Sequence, residues 1–163
     1  MKEIQLTKGY IALVDDKDFE KVNTISWHVV LRKDKQPMCA QGWTKGSFKL
    51  RKRLKMHRFI LNLNNPNMVV DHINCNSLDN RRHNLRICKQ SENCKNLRKL
   101  RKTKSIYKGV SWHTQQKKWS VRINVDKKII HLGTFNNDKD AAHVYNVAAV
   151  KYFKQFANLN VLN

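Results

Sequence analysis

VVDHINCNSLDNRRHNLRICKQSENCKN is the sequence from Val69 to Asn96. Its apolar start predicts a short strand that runs into Asp71 and His72, and Leu85 to Cys88 predicts a second strand. Ser91 has the character of a helix N-cap, so a helix should follow it. The order is therefore strand, polar loop, strand and helix. Asp71 could pair with a nearby arginine, or it could act with His72 in catalysis, and this stretch alone leaves both readings open.

The Asp-His pair has the chemistry that phosphodiester hydrolysis requires. A base must take a proton from water, a cation must neutralise the developing charge, and donors must hold the phosphates. His72 is a suitable base because the unperturbed pKa of histidine is close to neutral. Asp71 offers the hard oxygen that magnesium prefers, and the amides of Asn84 and Asn93 offer more. Adjacent side chains on an extended strand point to opposite sides, so one shared site needs a bent or loop backbone.

The composition indicates a polyanionic partner. The 163 residues include 33 lysines and arginines against 12 acidic residues, a formal net charge of +21. Such an excess favours DNA or RNA. We see no run of 18 apolar residues and no signal peptide, so we expect no membrane partner. The four cysteines form no CxxC pair, which favours free thiols in a reducing cytoplasm.

Four segments are predicted along the chain. Residues 1–55 form a β-rich region, 56–97 hold the Asp-His stretch, 98–105 form a basic linker, and 106–163 form a separate domain. In the last segment, residues 119–125 alternate strictly between apolar and polar, which predicts a strand with one buried face. Two more strands and a helix capped by Asn137 complete it. The fold class is therefore α+β, ending in a three-stranded antiparallel sheet packed on one helix.

The outward face of that sheet is a candidate DNA-reading surface. Arginine and asparagine make bidentate contacts with guanine and adenine, and a sheet can enter the major groove. An ordinary solvated face is the simpler reading, but lysines surround this one. The residues that we expect to contact DNA here are Lys108, Ser111, His113, Lys118, Ser120, Arg122, Asn124 and His131.

The Asp-His stretch resembles the motif of the HNH nucleases, in particular the phage and intron-encoded homing group. The resemblance rests on Asp71-His72, Asn84-Leu85-Arg86 and Ser91-Glu92-Asn93, with support from the upstream string Met56-His57-Arg58. It implies a ββα-metal module that uses Mg²⁺, or another hard cation such as Mn²⁺, to cut double-stranded DNA. Cleavage would leave 3′-hydroxyl and 5′-phosphate ends.

This resemblance implies a role for each motif residue. His72 would be the general base, Asp71 and Asn93 would bind the cation, and Asn84 would position the loop or His72. Arg58 would hold phosphate, and Arg81 and Arg82 are further candidate DNA contacts. His57 would be either structural or part of the site. Cys75 stands where relatives usually have glycine, which predicts a strained turn.

The last segment resembles the APETALA-type domain, the ethylene-response-factor DNA reader of plants. The resemblance rests on Tyr107-Lys108-Gly109-Val110, His131-Leu132-Gly133-Thr134-Phe135 and Ala141-Ala142-x-x-Tyr145. It implies that the sheet lies in the major groove of DNA.

Together these observations predict an HNH homing endonuclease that is targeted by a C-terminal reading domain. A single active site favours a monomer that nicks one strand, with no obligate protein partner. The alternative is a catalytically inactive, sequence-specific DNA-binding regulator. A ribosomal or other RNA-binding protein, or a packaging protein, would be equally basic, but the paired motifs do not favour either.

Overall fold

A computed structural model describes residues 1–44, 46, 50–97 and 104–162. The chain divides into two compact units, Met1–Asn93 and Cys94–Asn163. Each unit has its own apolar core. Residues 98–103 of the predicted linker lie outside the described residues.

The first unit begins with two small antiparallel sheets. Its elements up to the Asp-His stretch are β1 (Lys2–Gln5), β2 (Ile11–Val14), α1 (Asp16–Asn23), β3 (Trp27–Leu31), β4 (Pro37–Trp43), β5 (Arg53–Lys55) and α2 (Met56–Ile60). Strands β1 and β2 pair with each other, and β3, β4 and β5 pair in that order. Short β-rich runs between turn residues therefore become hairpins, as the sequence predicts for residues 1–55.

The Asp-His stretch forms a hairpin followed by a short helix. Strand β6 (Val69–His72) pairs antiparallel with β7 (Leu85–Cys88), and α3 (Gln90–Asn93) follows. The helix begins at Gln90, one residue before the predicted cap, because the Glu92 carboxylate accepts a hydrogen bond from the backbone N–H of Lys89. Strand, loop, strand and helix are thus confirmed.

The N-terminal region and the hairpin share one core. Buried apolar residues from β1, β2, β3, α2, β6 and β7 pack in a single cluster, with Ala12, Val14, Met56 and Ile60 fully enclosed. The backbone of Leu13 also pairs with the loop after β6: its N–H donates to Leu78 O at 2.9 Å, and its carbonyl accepts from Asn80 N at 2.8 Å. Residues 1–55 therefore support the loop on which the Asp-His stretch depends.

The second unit is a three-stranded sheet packed on one long helix, as predicted. Its main elements are β8 (Val110–His113), β9 (Lys118–Val125), β10 (Lys128–Phe135) and α4 (Asp138–Phe153). The central strand is β9. Asn137 caps α4 by accepting a hydrogen bond from Lys139 N at 2.8 Å. Gly109 has a φ of +77°, and a Cβ there would lie 2.0 Å from the Tyr145 ring, so only glycine fits.

The turn between β9 and β10 holds the sheet in register. Asp126 and Lys127 both have positive φ, 49° and 68°, between the paired residues Val125 and Lys128. Two residues with positive φ match the twist of the strands they join. The fold class is α+β in both units.

Candidate functional site

Asp71 and His72 are both part of strand β6, so the bent backbone that a shared site was expected to need is absent at these two residues. On an extended strand their side chains leave in opposite directions. Each one accordingly has its own partners: Asp71 meets Arg86, and His72 meets Asn80 and His57. We refer to these five residues as the histidine site.

Asp71 forms a buried ion pair across the hairpin. Its side chain is 5% exposed, and one carboxylate oxygen accepts from Arg86 Nε at 2.8 Å and Nη2 at 2.5 Å. The pair follows from register, because Asp71 and Arg86 are directly opposite on β6 and β7. The arginine compensates a charge that would otherwise be costly to bury.

His72 is held in one orientation by Asn80. The Asn80 side chain is completely buried, and its Nδ2 donates to the carbonyl of Leu78 at 3.2 Å. That bond fixes which way the amide points, so Oδ1 is the atom that lies 3.3 Å from His72 Nε2. An oxygen acceptor requires a proton on Nε2. The neutral imidazole then carries its basic lone pair on Nδ1.

Burial favours the neutral form of His72. It lowers the pKa of His72 below its ordinary value, although the Asn80 bond and the carboxylates of Asp71 and Asp79 oppose this shift. A general base must be unprotonated before it acts. The environment therefore provides the form of histidine that the predicted chemistry requires.

His57 packs edge-on against the His72 ring. Their ring centroids are 5.2 Å apart and their planes are 88° apart. Burial, with help from the nearby positive charges, lowers the pKa of His57 to about 3. Its Nδ1 is buried without a hydrogen-bond partner among the described residues. His57 therefore lies in direct contact with the His72 ring, a position compatible with either a structural role or a role in the site.

Asn84 ties together the two ends of the loop between β6 and β7. Its Oδ1 accepts from Asn74 N at 2.9 Å, and its Nδ2 donates to Asp79 O at 2.8 Å. Cys75, in the same loop, has a φ of +58°, the left-handed conformation that the sequence comparison with glycine predicted would be strained. The loop is therefore fixed by buried amides.

Asn93 lies on α3, and α3 packs against β6, the strand of Asp71. A carboxylate and an amide oxygen on neighbouring elements are the hard donors that Mg²⁺ and Mn²⁺ accept. No group of three histidine, cysteine, aspartate or glutamate side chains suited to a metal occurs in the described part of the chain. The donor set fits a cation that keeps most of its water.

The three arginines predicted to contact DNA in this unit all make internal bonds. Arg58 donates to the carbonyls of Met68 and Asn65 at 2.6 and 2.7 Å. Arg81 forms a two-point ion pair with Asp79. Arg82 does the same with Asp18, in helix α1, at 2.7 Å for both bonds. The Arg82 bonds hold the loop around Asn80 against the N-terminal region.

Most of the predicted DNA-reading residues lie on one face of the second sheet, which we call the outer sheet face. Cross-strand pairs place Ser111 beside Ser120, His113 beside Lys118, and Arg122 beside His131. Ser120 is only 1% exposed, so the prediction that it is available at the surface is wrong: it occupies the central strand between Ser111 and Thr134. Lys108 lies off this face, and its ammonium donates to the carbonyl of Lys95 at 2.8 Å. The exposed members are Ser111, Lys118, Arg122, Asn124 and His131, and His113 is half-buried.

Comparison with known proteins finds similarity to two kinds of protein. Residues 55–95 match the family model described as HNH endonuclease. Three transcription factors of Arabidopsis thaliana, the AP2-like ethylene-responsive factors AIL7, AIL6 and ANT, are each 44% identical to the chain over 50 residues, or 29% of it. The chain spans about a tenth of the length of these relatives (10%, 9% and 9%). The matches support an architecture in which an HNH-type segment is joined to an APETALA-type segment.

Sequence reasoning missed Asn80 and Arg86 as members of the histidine site. Both lie within the matched residues 55–95. The signal available was their position in the stretch from Val69 to Asn96, but only the fold shows which motif residues they contact.

No helix among the described residues is long and apolar enough to cross a membrane.

Proposed function

We propose that this chain is a metal-dependent endonuclease of the HNH homing type, which hydrolyses phosphodiester bonds in double-stranded DNA. The observation that carries the proposal is the setting of His72: half-buried, with a pKa that burial lowers, and oriented by Asn80 so that its basic nitrogen is Nδ1. This orientation, next in sequence to the carboxylate of Asp71, is the arrangement that a general base beside a cation ligand needs.

In this proposal His72 takes a proton from the attacking water at Nδ1. Asn80 stabilises the imidazolium that forms, because its carbonyl oxygen accepts the Nε2 proton throughout. His57 restricts rotation of the ring. Asn84 positions the loop through its two backbone bonds and does not touch the cation. Each residue thus contributes geometry that is present before substrate binds.

Asp71 and Asn93 would hold a divalent cation, Mg²⁺ or Mn²⁺. Bound there, the cation would supply neutralisation of the charge that develops on the phosphate and the leaving oxygen. Until it binds, Arg86 neutralises Asp71. A single site of this kind favours a monomer that nicks one strand.

The reading segment would deliver the HNH segment to its target. The exposed outer sheet face would meet duplex DNA, and Lys108, which lies off this face, is a further proposed contact. Arg58, Arg81 and Arg82 are proposed phosphate contacts through their exposed edges, in addition to the internal bonds that they make. Tethering two DNA-binding segments raises the effective concentration of the nuclease near its site.

The experiment is conversion of supercoiled DNA that includes the gene's own genomic neighbourhood, with Mg²⁺ or with EDTA. We compare wild type with His72→Ala, and with His83→Ala as the matched control, because His83 is an exposed histidine in the same unit. We expect wild type and the control to nick the DNA only with Mg²⁺, and His72→Ala to lose the activity by at least about 100-fold.

Two results would contradict the proposal. If His72→Ala cuts as fast as wild type, His72 is not the base. If no protein cuts but all retard the DNA in a gel, the inactive DNA-binding regulator replaces the nuclease as the function. Linear product in place of open circles would overturn the expected nick and leave the nuclease reading intact.

A further inference from the structure

Ile129 stands out on the outer sheet face. It is an isoleucine, it is 69% exposed, and it lies directly opposite the exposed Asn124 in the β9–β10 pair. Single exposed apolar residues are common on protein surfaces. This one is informative because its neighbours on the same face are polar or basic, so an amide and an aliphatic group are presented side by side.

The electrostatics of this unit favour DNA as the partner of that pair. Residues 104–163 contain ten lysines and arginines and three acidic residues, Asp126, Asp138 and Asp140. None of the three lies in strands β8, β9 or β10, all of which are described. The outer sheet face is therefore free of carboxylates along its strands, which suits a polyanion.

The hairpin presents Asn124 and Ile129 rigidly. They are one pair beyond the closing pair of the tight turn at Asp126 and Lys127. Directly opposed residues in an antiparallel sheet have Cβ atoms about 5 Å apart on the same face. The two side chains can thus contact one small target together, with little ordering needed on binding.

An A·T base pair offers the matching groups in the major groove. Adenine has N7 as an acceptor and N6 as a donor, which an asparagine amide satisfies bidentately, and thymine adds a methyl group that takes an apolar contact. We propose that Asn124 and Ile129 form one reading unit for A·T, with Asn124 bonding adenine and Ile129 packing on the thymine methyl. The inference rests on the proposed DNA-binding function and assigns a base to part of the outer sheet face.

The test is selection of binding sites from a random duplex library by the full chain, in EDTA so that no cutting occurs. We use wild type, Ile129→Ala and the matched control Val147→Ala, which shortens an exposed aliphatic side chain on α4. Wild type and the control should select the same site. Ile129→Ala should show a weaker preference at one A·T position only, because Asn124 still bonds the adenine there.

Removal of the methyl group alone then identifies the contact. Deoxyuridine replaces thymidine at that position, and affinity is measured for both proteins. Wild type should lose about fourfold, the worth of one buried methyl group, and Ile129→Ala should lose nothing. Replacement of the paired adenine by 7-deazaadenine should weaken wild type and leave Asn124→Leu unaffected.

Each other outcome overturns a defined part of the argument. If Ile129→Ala selects A·T at that position as strongly as wild type, or if deoxyuridine binds as tightly as thymidine at every position, Ile129 does not read thymine. If neither protein selects any sequence while both cut DNA, the reading role of the sheet fails and the nuclease stands. If neither binds duplex DNA at all, the proposed function itself fails.

Discussion

The histidine site and the outer sheet face use polar residues in opposite ways. Around His72, the amides of Asn80 and Asn84 and the ion pair of Asp71 with Arg86 are buried and bonded within the protein. On the outer sheet face, Arg122, Asn124 and His131 are exposed. A catalytic group must be fixed before substrate arrives, whereas a reading group must offer its hydrogen bonds to the partner. The burial of a polar residue, more than its type, thus separates the two proposed tasks.

The largest effect that we predict is on stability, from substitution of Arg86 in the histidine site. Arg86→Met keeps much of the side-chain volume but leaves the carboxylate of Asp71 buried without its cationic partner. Loss of one member of a buried ion pair typically costs about 3 kcal/mol or more in the free energy of unfolding. Urea denaturation of the full chain should show the first unit unfolding at lower denaturant and the second unit unchanged.

Added Mg²⁺ sharpens this test. A cation held by Asp71 replaces the charge that the arginine supplied, so Mg²⁺ should raise the midpoint of Arg86→Met more than that of wild type. The double variant Arg86→Met with Asp71→Asn should recover stability and lose the Mg²⁺ response. Equal Mg²⁺ shifts in wild type and the double variant would mean that Asp71 does not hold the cation.

Asn80 should show the next largest effect, on activity. Asn80→Leu is similar in volume and removes the acceptor that fixes the Nε2 proton of His72. We expect cleavage to fall about 100-fold, equivalent to about 2.7 kcal/mol in the barrier, while binding of duplex DNA in EDTA stays at the wild-type level.

The matched control for Asn80 is Asn64→Leu, an exposed asparagine in the same unit, which should cut normally. Circular dichroism of both variants checks the fold. If Asn80→Leu is folded and cuts at the wild-type rate, the tautomer of His72 is not set by this residue.

The two regions also differ in how far the sequence predicts them. Alternation from Trp119 to Val125 is a property of neighbouring residues, and it correctly predicts the sheet and its two faces. It does not show that Ser120 is covered, because burial there depends on Ser111 and Thr134 in the flanking strands. The local alternation of residues therefore predicts which side of the sheet a residue lies on. Its exposure depends on which residues the neighbouring strands place beside it.

In the histidine site the decisive contacts are long-range. The bonds of Arg82 to Asp18 join residues 64 positions apart, and the bond between Leu13 and Asn80 depends on strand β2 meeting a loop. The Asp71–Arg86 pair depends on the register of a hairpin with a twelve-residue connection, His72 to Leu85. The motif indicates which residue types are present, but only the fold assigns Arg86 to Asp71 and Asn80 to His72.

The smallest effect that we predict is on the pH dependence of stability, through His57. Its pKa in the folded protein is about 3, lowered by burial first and then by His72, Lys55 and Arg58. In the unfolded chain the ordinary value of about 6.5 applies. Between pH 6.5 and 3 the unfolded state therefore binds more protons than the folded state, and the folded state loses stability as the pH falls. The slope for one group is at most about 1.4 kcal/mol per pH unit.

His57→Phe keeps a ring against His72 and cannot take up the proton, so it should flatten the stability profile of the first unit between pH 6.5 and 4. Below pH 4 the lowered pKa values of Asp18 and Asp79 add their own loss in both proteins, which is why the window ends there. His83→Phe, at an exposed position, should leave the profile unchanged.

The activity of the same variant defines the role of His57. If His57→Phe cuts DNA normally but Asn80→Leu does not, His57 serves only as packing against the His72 ring. If both lose activity, the ring of His57 also controls the position of His72. If the free energy of unfolding of His57→Phe falls with pH as steeply as that of wild type, His57 is not buried in its neutral form. The contrast between buried polar residues in the histidine site and exposed ones on the outer sheet face would then not extend to His57.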